Sequence, residues 1–169
     1  MKDKGTNEFI EAAKIIKNAY PLTKFRLIGH FDGYYEDKLK LAIKEGIVEY
    51  MEDQSNIEPF IAESHAIIQP SYHEGMSNIL LEAAATGRLV LASRVHGCIE
   101  TFDEGESGLG FEARNSQDLA RAIREFINLP YSKKVEMGIN GRKKMEREFD
   151  RRNVVAKYLQ EVEAISNVT

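Results

Sequence analysis

The sequence predicts an α/β fold built on a parallel sheet with helices on both faces. Short apolar runs alternate with amphipathic runs through about the first 110 residues, and the links between them are short. That order requires crossover connections, which make neighbouring strands parallel. A third observation adds a helical C-terminal region: after Phe111 the chain carries three helix-like runs with no strand between them.

Thr6 to Ala19 reads as an amphipathic helix, with Phe9, Ala12, Ala13 and Ile16 at helical spacing and Pro21 as its stop. Phe25 to Ile28 is a short strand ending on Gly29. Asp32 to Tyr35 reads as a turn, and Asp37 to Ile43 as a second helix with Leu39, Leu41 and Ile43 as its apolar contacts. Ile47 to Tyr50 is the next strand, bounded by Gly46 and the polar run Glu52 to Asn56. A short helix, Glu58 to Glu63, leads into the strand Ala66 to Gln69, which Pro70 closes.

Asn78 to Thr86 is a helix whose run Ile79-Leu80-Leu81, followed by Ala83-Ala84-Ala85, points to burial on more than one face; Gly87 ends it. Leu89 to Ala92 could be a helix fragment by composition, but its length and the flanking Gly87 and Ser93 favour a buried strand. Cys98 to Phe102 is a short helical piece and Leu109 to Phe111 the last strand. Helices from Ser116 to Asn128, Ser132 to Arg147 and Asn153 to Ile165 finish the chain. Ser116, with Asp118 and Leu119 after it, reads as the start of the first, and Leu119, Ile123, Phe126 and Ile127 form its apolar stripe.

The 169 residues, 43% hydrophobic and 30% charged, fit one globular domain rather than a disordered chain. No stretch approaches the roughly 20 apolar residues of a membrane-spanning helix. No basic-plus-apolar leader opens the sequence, so the expected location is the cytoplasm, including the inner face of the membrane. One cysteine, Cys98, can form neither an internal disulfide nor a metal cluster. The net charge of -4 argues against nucleic acid as a partner. Lys133, Lys134, Arg142, Lys143, Lys144, Arg147, Arg151 and Arg152 are interleaved with Glu136, Glu146, Glu148 and Asp150. This mixture reads as a solvated helical surface, with peripheral contact to anionic lipid headgroups as the alternative.

In a parallel α/β sheet, ligands collect beyond the C-terminal ends of the strands. The densest polar constellation lies there, from Pro70 to Asn78, between a buried strand and a buried helix. The amides of Gly75, Met76, Ser77 and Asn78 fall at the helix start, as unpaired donors at the positive end of the helix dipole, suited to phosphate oxygens or a sugar hydroxyl. Gly75 removes the side chain that would hold a ligand off the backbone. Glu74 and Glu82 are carboxylates able to accept a pair of hydrogen bonds from a vicinal diol. The plainer alternatives are that Glu82 caps an amide or pairs with a lysine, and that His73 is a surface histidine.

The run Tyr72 to Arg88, with seven residues between Glu74 and Glu82, closely resembles the signature region of family 4 retaining glycosyltransferases, also called glycosyl transferases group 1. Lys4-Gly5, Phe25 to Gly29, Gly97 to Glu100 and the turn Asp103 to Gly108 agree with it. These proteins have two Rossmann-like domains facing across a cleft, and the resemblance is to the C-terminal, donor-binding one. It implies that Glu82 holds the ribose hydroxyls, and that Glu74 contacts the transferred sugar nearest the reaction centre. The backbone of Gly75, Met76 and Ser77 would meet the sugar and distal phosphate. Lys4 would neutralise the diphosphate as charge develops on it. The loop Arg94 to Gly97 would wall the pocket.

The candidate catalytic residues are thus Glu74 and His73, and the donor-binding ones Lys4, Gly75, Met76, Ser77, Glu82, Arg94 and Gly97. The resemblance implies a nucleotide-sugar substrate, UDP-linked by the habit of bacterial surface-polysaccharide members. It implies no cofactor and no protein-bound metal. Ser77 stands where the family commonly has proline, Ile99 where it often has arginine, and Glu52 where glycine is frequent.

The resemblance further implies that residues 1–169 are one donor-binding domain, incomplete at its N-terminus. The acceptor-binding domain would precede Met1, as would a central strand carrying a glycine and an arginine of the diphosphate clamp. That strand would lie between Phe25–Ile28 and Ala66–Gln69, and its loss would leave two unpaired strand edges. The expected function is the donor-binding part of an enzyme moving a hexose or N-acetylhexosamine to a lipid-linked or polysaccharide acceptor. The alternative is a non-catalytic nucleotide-binding or interaction module derived from such a domain.

Overall fold

The computed structural model describes residues 2–30 and 36–166. The turn expected at Asp32 to Tyr35 lies outside the described residues. Among the described residues five strands follow in chain order, each paired in parallel with its sheet neighbours: β1 Arg26–Ile28, β2 Glu49–Met51, β3 Ala66–Gln69, β4 Leu89–Ser93 and β5 Gly108–Phe111. The helices are α1 Thr6–Ala19, α2 Glu36–Lys44, α3 Glu58–Glu63, α4 Asn78–Ala85, α5 Ser116–Asn128, α6 Tyr131–Glu148 and α7 Arg151–Ser166. No described helix is long and apolar enough to cross a membrane.

The strands form two sheets, β1-β2 and β3-β4-β5. Arg26 pairs with Glu49 in the first; Ala66 pairs with Leu89, and Val90 with Gly108, in the second. Among the described residues neither β1 nor β3 pairs on its other side. A cleft of about 970 Å³ occupies the break, lined by Phe25, Arg26 and Ile28 on one side and by Ala66 to Gln69 on the other. Arg26 spans one margin of it, bonding Glu63 of α3 at 3.2 Å with its guanidinium 5.7 Å from the Phe60 ring.

Strand periodicity explains the core. Leu89 and Leu91 of β4 enter a cluster with Phe9, Ile10 and Ile16 of α1 and Leu119 and Ile123 of α5. Val90 and Ala92 face the other way, toward Ile61, Leu80, Ala83 and Phe102. The three-stranded sheet therefore has a packed layer on both faces. Phe25, Leu39, Ala42 and Val48, around β1 and β2, join the first cluster only.

Two local expectations are corrected. The second helix buries Leu39 and Ala42, whereas Leu41 and Ile43 are exposed, because the buried stripe advances by three residues rather than two or four. The strand after it begins two residues late: the amides of Ile47 and Val48 donate to the Ala42 carbonyl, so pairing starts at Glu49. The helix expected from Ser116 does start there, and Asn115 caps it, its side chain accepting from the Asp118 amide at 3.0 Å. The basic C-terminal surface is largely ion-paired, through Lys133–Glu136, Arg142–Glu146, Arg147–Glu148 and Arg152–Asp150. Buried Lys144 bridges Asp103 and Glu148 at 2.9 Å each.

Candidate donor site

The site forms where the start of the chain crosses the end of β3. Gly5 precedes α1 in the left-handed region, and a Cβ there would overlap the Pro70 carbonyl. The Tyr72 amide donates to the Asp3 carbonyl at 2.8 Å, and the Tyr72 hydroxyl to Glu8 at 2.6 Å. Arg114 covers the same ring, 4.7 Å from its centroid. These contacts deliver Lys4 to Glu74, whose Oε1 accepts from Lys4 Nζ at 2.6 Å.

Glu74 Oε1 also accepts from Gln69 Nε2 and Ser71 Oγ, both at 2.7 Å. Burial raises the Glu74 pKa, but the hydrogen bonds from Lys4, Ser71 and Gln69 outweigh it and hold the carboxyl below its ordinary range. Glu74 is therefore an anion at neutral pH. Cys98 is the opposite case: burial first, then the Glu74 charge, push its thiol up to about 11. It stays protonated near neutrality and offers no thiolate.

Gly97 braces this loop. Its φ is 78°, and a Cβ would overlap the backbone of Glu74 and Gly75. Its carbonyl accepts from the Ser77 amide at 2.8 Å. This corrects the expectation for Ser77, whose amide is already committed and whose buried hydroxyl has no hydrogen-bond partner among the described residues. The amides of Gly75, Met76 and Asn78 have no acceptor among the described residues, so the helix start still presents donors. A Cβ at Gly75 would meet nothing within 4 Å, so no neighbour demands glycine there.

Arg94 is the second correction. Its guanidinium turns to Glu104, Glu112 and Asp118, at 3.3, 3.6 and 3.8 Å, because β5 lies beside β4 and brings those carboxylates within reach. The Gly97 end of that loop meets the candidate site; the Arg94 side chain does not. Glu82 lies one turn into α4, exposed and without an ion pair among the described residues; His73 is exposed on the loop. Among the described residues neither side chain is hydrogen-bonded to the Glu74 cluster.

Gln69 and Ser71 were absent from the sequence-based site. The available signal was a polar residue closing an apolar strand, followed after Pro70 by a serine three positions before Glu74. A second cleft, of about 670 Å³, includes His30, Lys40, Tyr50 and Glu52 beside the ends of β1 and β2. Among the described residues no group of three or more His, Cys, Asp or Glu side chains is placed to hold a metal ion.

The sequence matches the family described as glycosyl transferases group 1 over residues 1–128. It is 30% identical over 120 residues to the N,N'-diacetylbacillosaminyl-diphospho-undecaprenol alpha-1,3-N-acetylgalactosaminyltransferase of Campylobacter jejuni, covering 71% of this chain and 31% of that protein. Its fold is similar to Anabaena Alr3699/HepE, solved in complex with UDP-glucose, with a TM-score of 0.81, 22% identity, and coverage of 99% of this chain and 46% of that one. It is also similar to the C-terminal domain of the group 1 glycosyl transferase LpcC of Francisella tularensis, with a TM-score of 0.78, 24% identity, and coverage of 89% and 82%. The chain spans less than half the length of the curated relatives it matches. It has an α/β Rossmann-like fold and belongs to the glycosyl transferases group 1 family.

Proposed function

We propose that this chain is the C-terminal, donor-binding half of a retaining glycosyltransferase. In this reading it moves a hexose or N-acetylhexosamine from a UDP-sugar to a lipid-linked or polysaccharide acceptor, at the cytoplasmic face of a membrane. The observation that carries the reading is the Lys4–Glu74 pair beside open amides at the start of α4. A cation, an anion and aligned N–H donors suit, respectively, a diphosphate, sugar hydroxyls and either ligand's oxygens. The HepE complex with UDP-glucose supports the choice of nucleotide through the shared fold.

In this mechanism Glu82 accepts from the ribose hydroxyls and Lys4 stabilises the leaving diphosphate. Glu74 holds the transferred sugar while its anomeric carbon gains oxocarbenium character, and His73 borders the same face. Gly75, Met76 and Gly97 let the backbone approach the donor, with Ser77 as packing beneath it. The role first given to Arg94 passes to the backbone of its loop. The acceptor is held by a partner domain, and register between donor and acceptor can supply about 7–11 kcal/mol of a barrier. Transfer therefore requires that domain.

Titration calorimetry of the two-domain protein with UDP, GDP and ADP tests the reading. Binding of UDP in preference to the others is expected, and binding of no nucleoside diphosphate would reject it. Nucleotide binding without transfer to any lipid-linked or saccharide acceptor would instead favour a non-catalytic binding module.

A further inference from the structure

Glu74 is held asymmetrically. Three donors converge on Oε1, and among the described residues none reaches Oε2. Two of the three donors are neutral and linked to each other: Gln69 Nε2 also donates to Ser71 Oγ at 2.8 Å. The Ser71 hydroxyl accepts from Gln69 and gives its single proton to Glu74, whose ionised carboxylate can only accept.

The two kinds of donor rest on different supports. Gln69 ends β3 in register with Ala92, and Ser71 is fully buried, its carbonyl accepting from the buried hydroxyl of Ser93. Lys4 stands on a single 3-10 turn, with 41% of its side chain exposed. A diphosphate arriving at the start of α4 competes with Glu74 for that ammonium, and phosphate carries the greater charge. If Lys4 alone oriented Glu74, donor binding would release the carboxylate it needs.

We infer that Gln69 and Ser71 are positioning residues, which keep Glu74 Oε1 in place when Lys4 turns to the diphosphate and so reserve Oε2 for a hydroxyl of the transferred sugar. This rests on the donor-binding reading above. The low pKa of Glu74 accords with it, since donors to the charged form hold it ionised.

The test uses the two-domain protein with 13C-labelled glutamate, the Glu74 carboxyl signal being identified by its loss in Glu74→Gln. Ser71→Ala and Gln69→Met each remove donors at little change in volume, and their melting curves confirm folding. With UDP bound, the Glu74 titration midpoint should rise in both variants. Transfer should slow on the order of tenfold, with UDP affinity unchanged. A midpoint equal to that of the unsubstituted protein in both variants overturns the inference. So does a loss of UDP affinity in step with the loss of rate, which would indicate general damage to the site. Failure of the unsubstituted protein to bind UDP, GDP or ADP would instead reject the donor-binding reading and the reserved Oε2 with it. The nucleotide-free titration would then still read whether Gln69 and Ser71 anchor Glu74.

Discussion

A carboxylate with one oxygen saturated behaves differently from one open on both sides, and the two glutamates of the motif divide along that line. Glu74 is oriented and kept ionised by Lys4, Ser71 and Gln69. Its contribution to stability is present above its ordinary pKa of 4.5 and lost as pH falls through the lowered folded-state value. Glu82 is exposed with no ion pair among the described residues, so both of its oxygens remain available to a vicinal diol. Replacing Glu82 by Gln removes one acceptor and the charge, at a cost of roughly 1.5–3 kcal/mol in nucleotide binding. UDP affinity should fall by about 10- to 150-fold with the melting temperature unchanged. Calorimetry on Glu82→Gln checks this, and an unaltered affinity would remove Glu82 from the site. The placing of Glu74 and Gly75 on a loop before a helix, and of Glu82 within that helix, was legible because a polar run with a glycine separates an apolar strand from an apolar helical run. Gln69 and Ser71 were not: they lie only five and three residues from Glu74, but the way their side chains turn is set by the folded loop rather than by spacing.

Between elements, the crossing of α4 and α6 depends on absent side chains. Gly87 follows α4 with φ 73°, and a Cβ at Gly138 in α6 would overlap its carbonyl oxygen. Two effects oppose each other in Gly138→Ala. Helix propensity would favour alanine by about 1 kcal/mol. The overlap is with backbone, which cannot rotate away, and overpacking of this kind costs about 1–3 kcal/mol. The clash should win, lowering the melting temperature by a few degrees at about 2–4 °C per kcal/mol. A scanning-calorimetry melt at or above the parent value would show that α6 shifts freely. This contact was invisible in a sequence that otherwise located most elements: the expected bounds of α1, α3, β3 and α5 match those observed. Their periodicity and stop residues sufficed. The start of β2 was misread because a helix end claims the amides of Ile47 and Val48, and Ile43 because apolar character alone does not select a face.

For the molecule as a whole, the decisive feature is the break between β1 and β3. The cleft there has apolar margins that include Phe25, Ile28, Ile67 and Ile68. Gln69, at its edge, also bonds Glu74, so whatever fills the cleft abuts the candidate site. The fold was legible because crossovers between short strands admit few arrangements. The spread of its core was less so: the first cluster passes under both sheets, whereas the second covers only β3 to β5.

That uneven cover implies that the chain does not open as one cooperative unit. Strand β2 is paired on one side and its neighbours are packed on one face, while all five residues of β4 are buried between β3 and β5. Native-state hydrogen exchange should therefore show the β1-β2 amides opening at a lower free energy than those of β4, in a sub-global step that leaves the larger sheet protected. Exchange of both sets at one common free energy would mean that α1 couples the halves completely. With two steps, the end of the molecule bearing α2 and β2 can loosen and re-form while the floor beneath Glu74 stays shut.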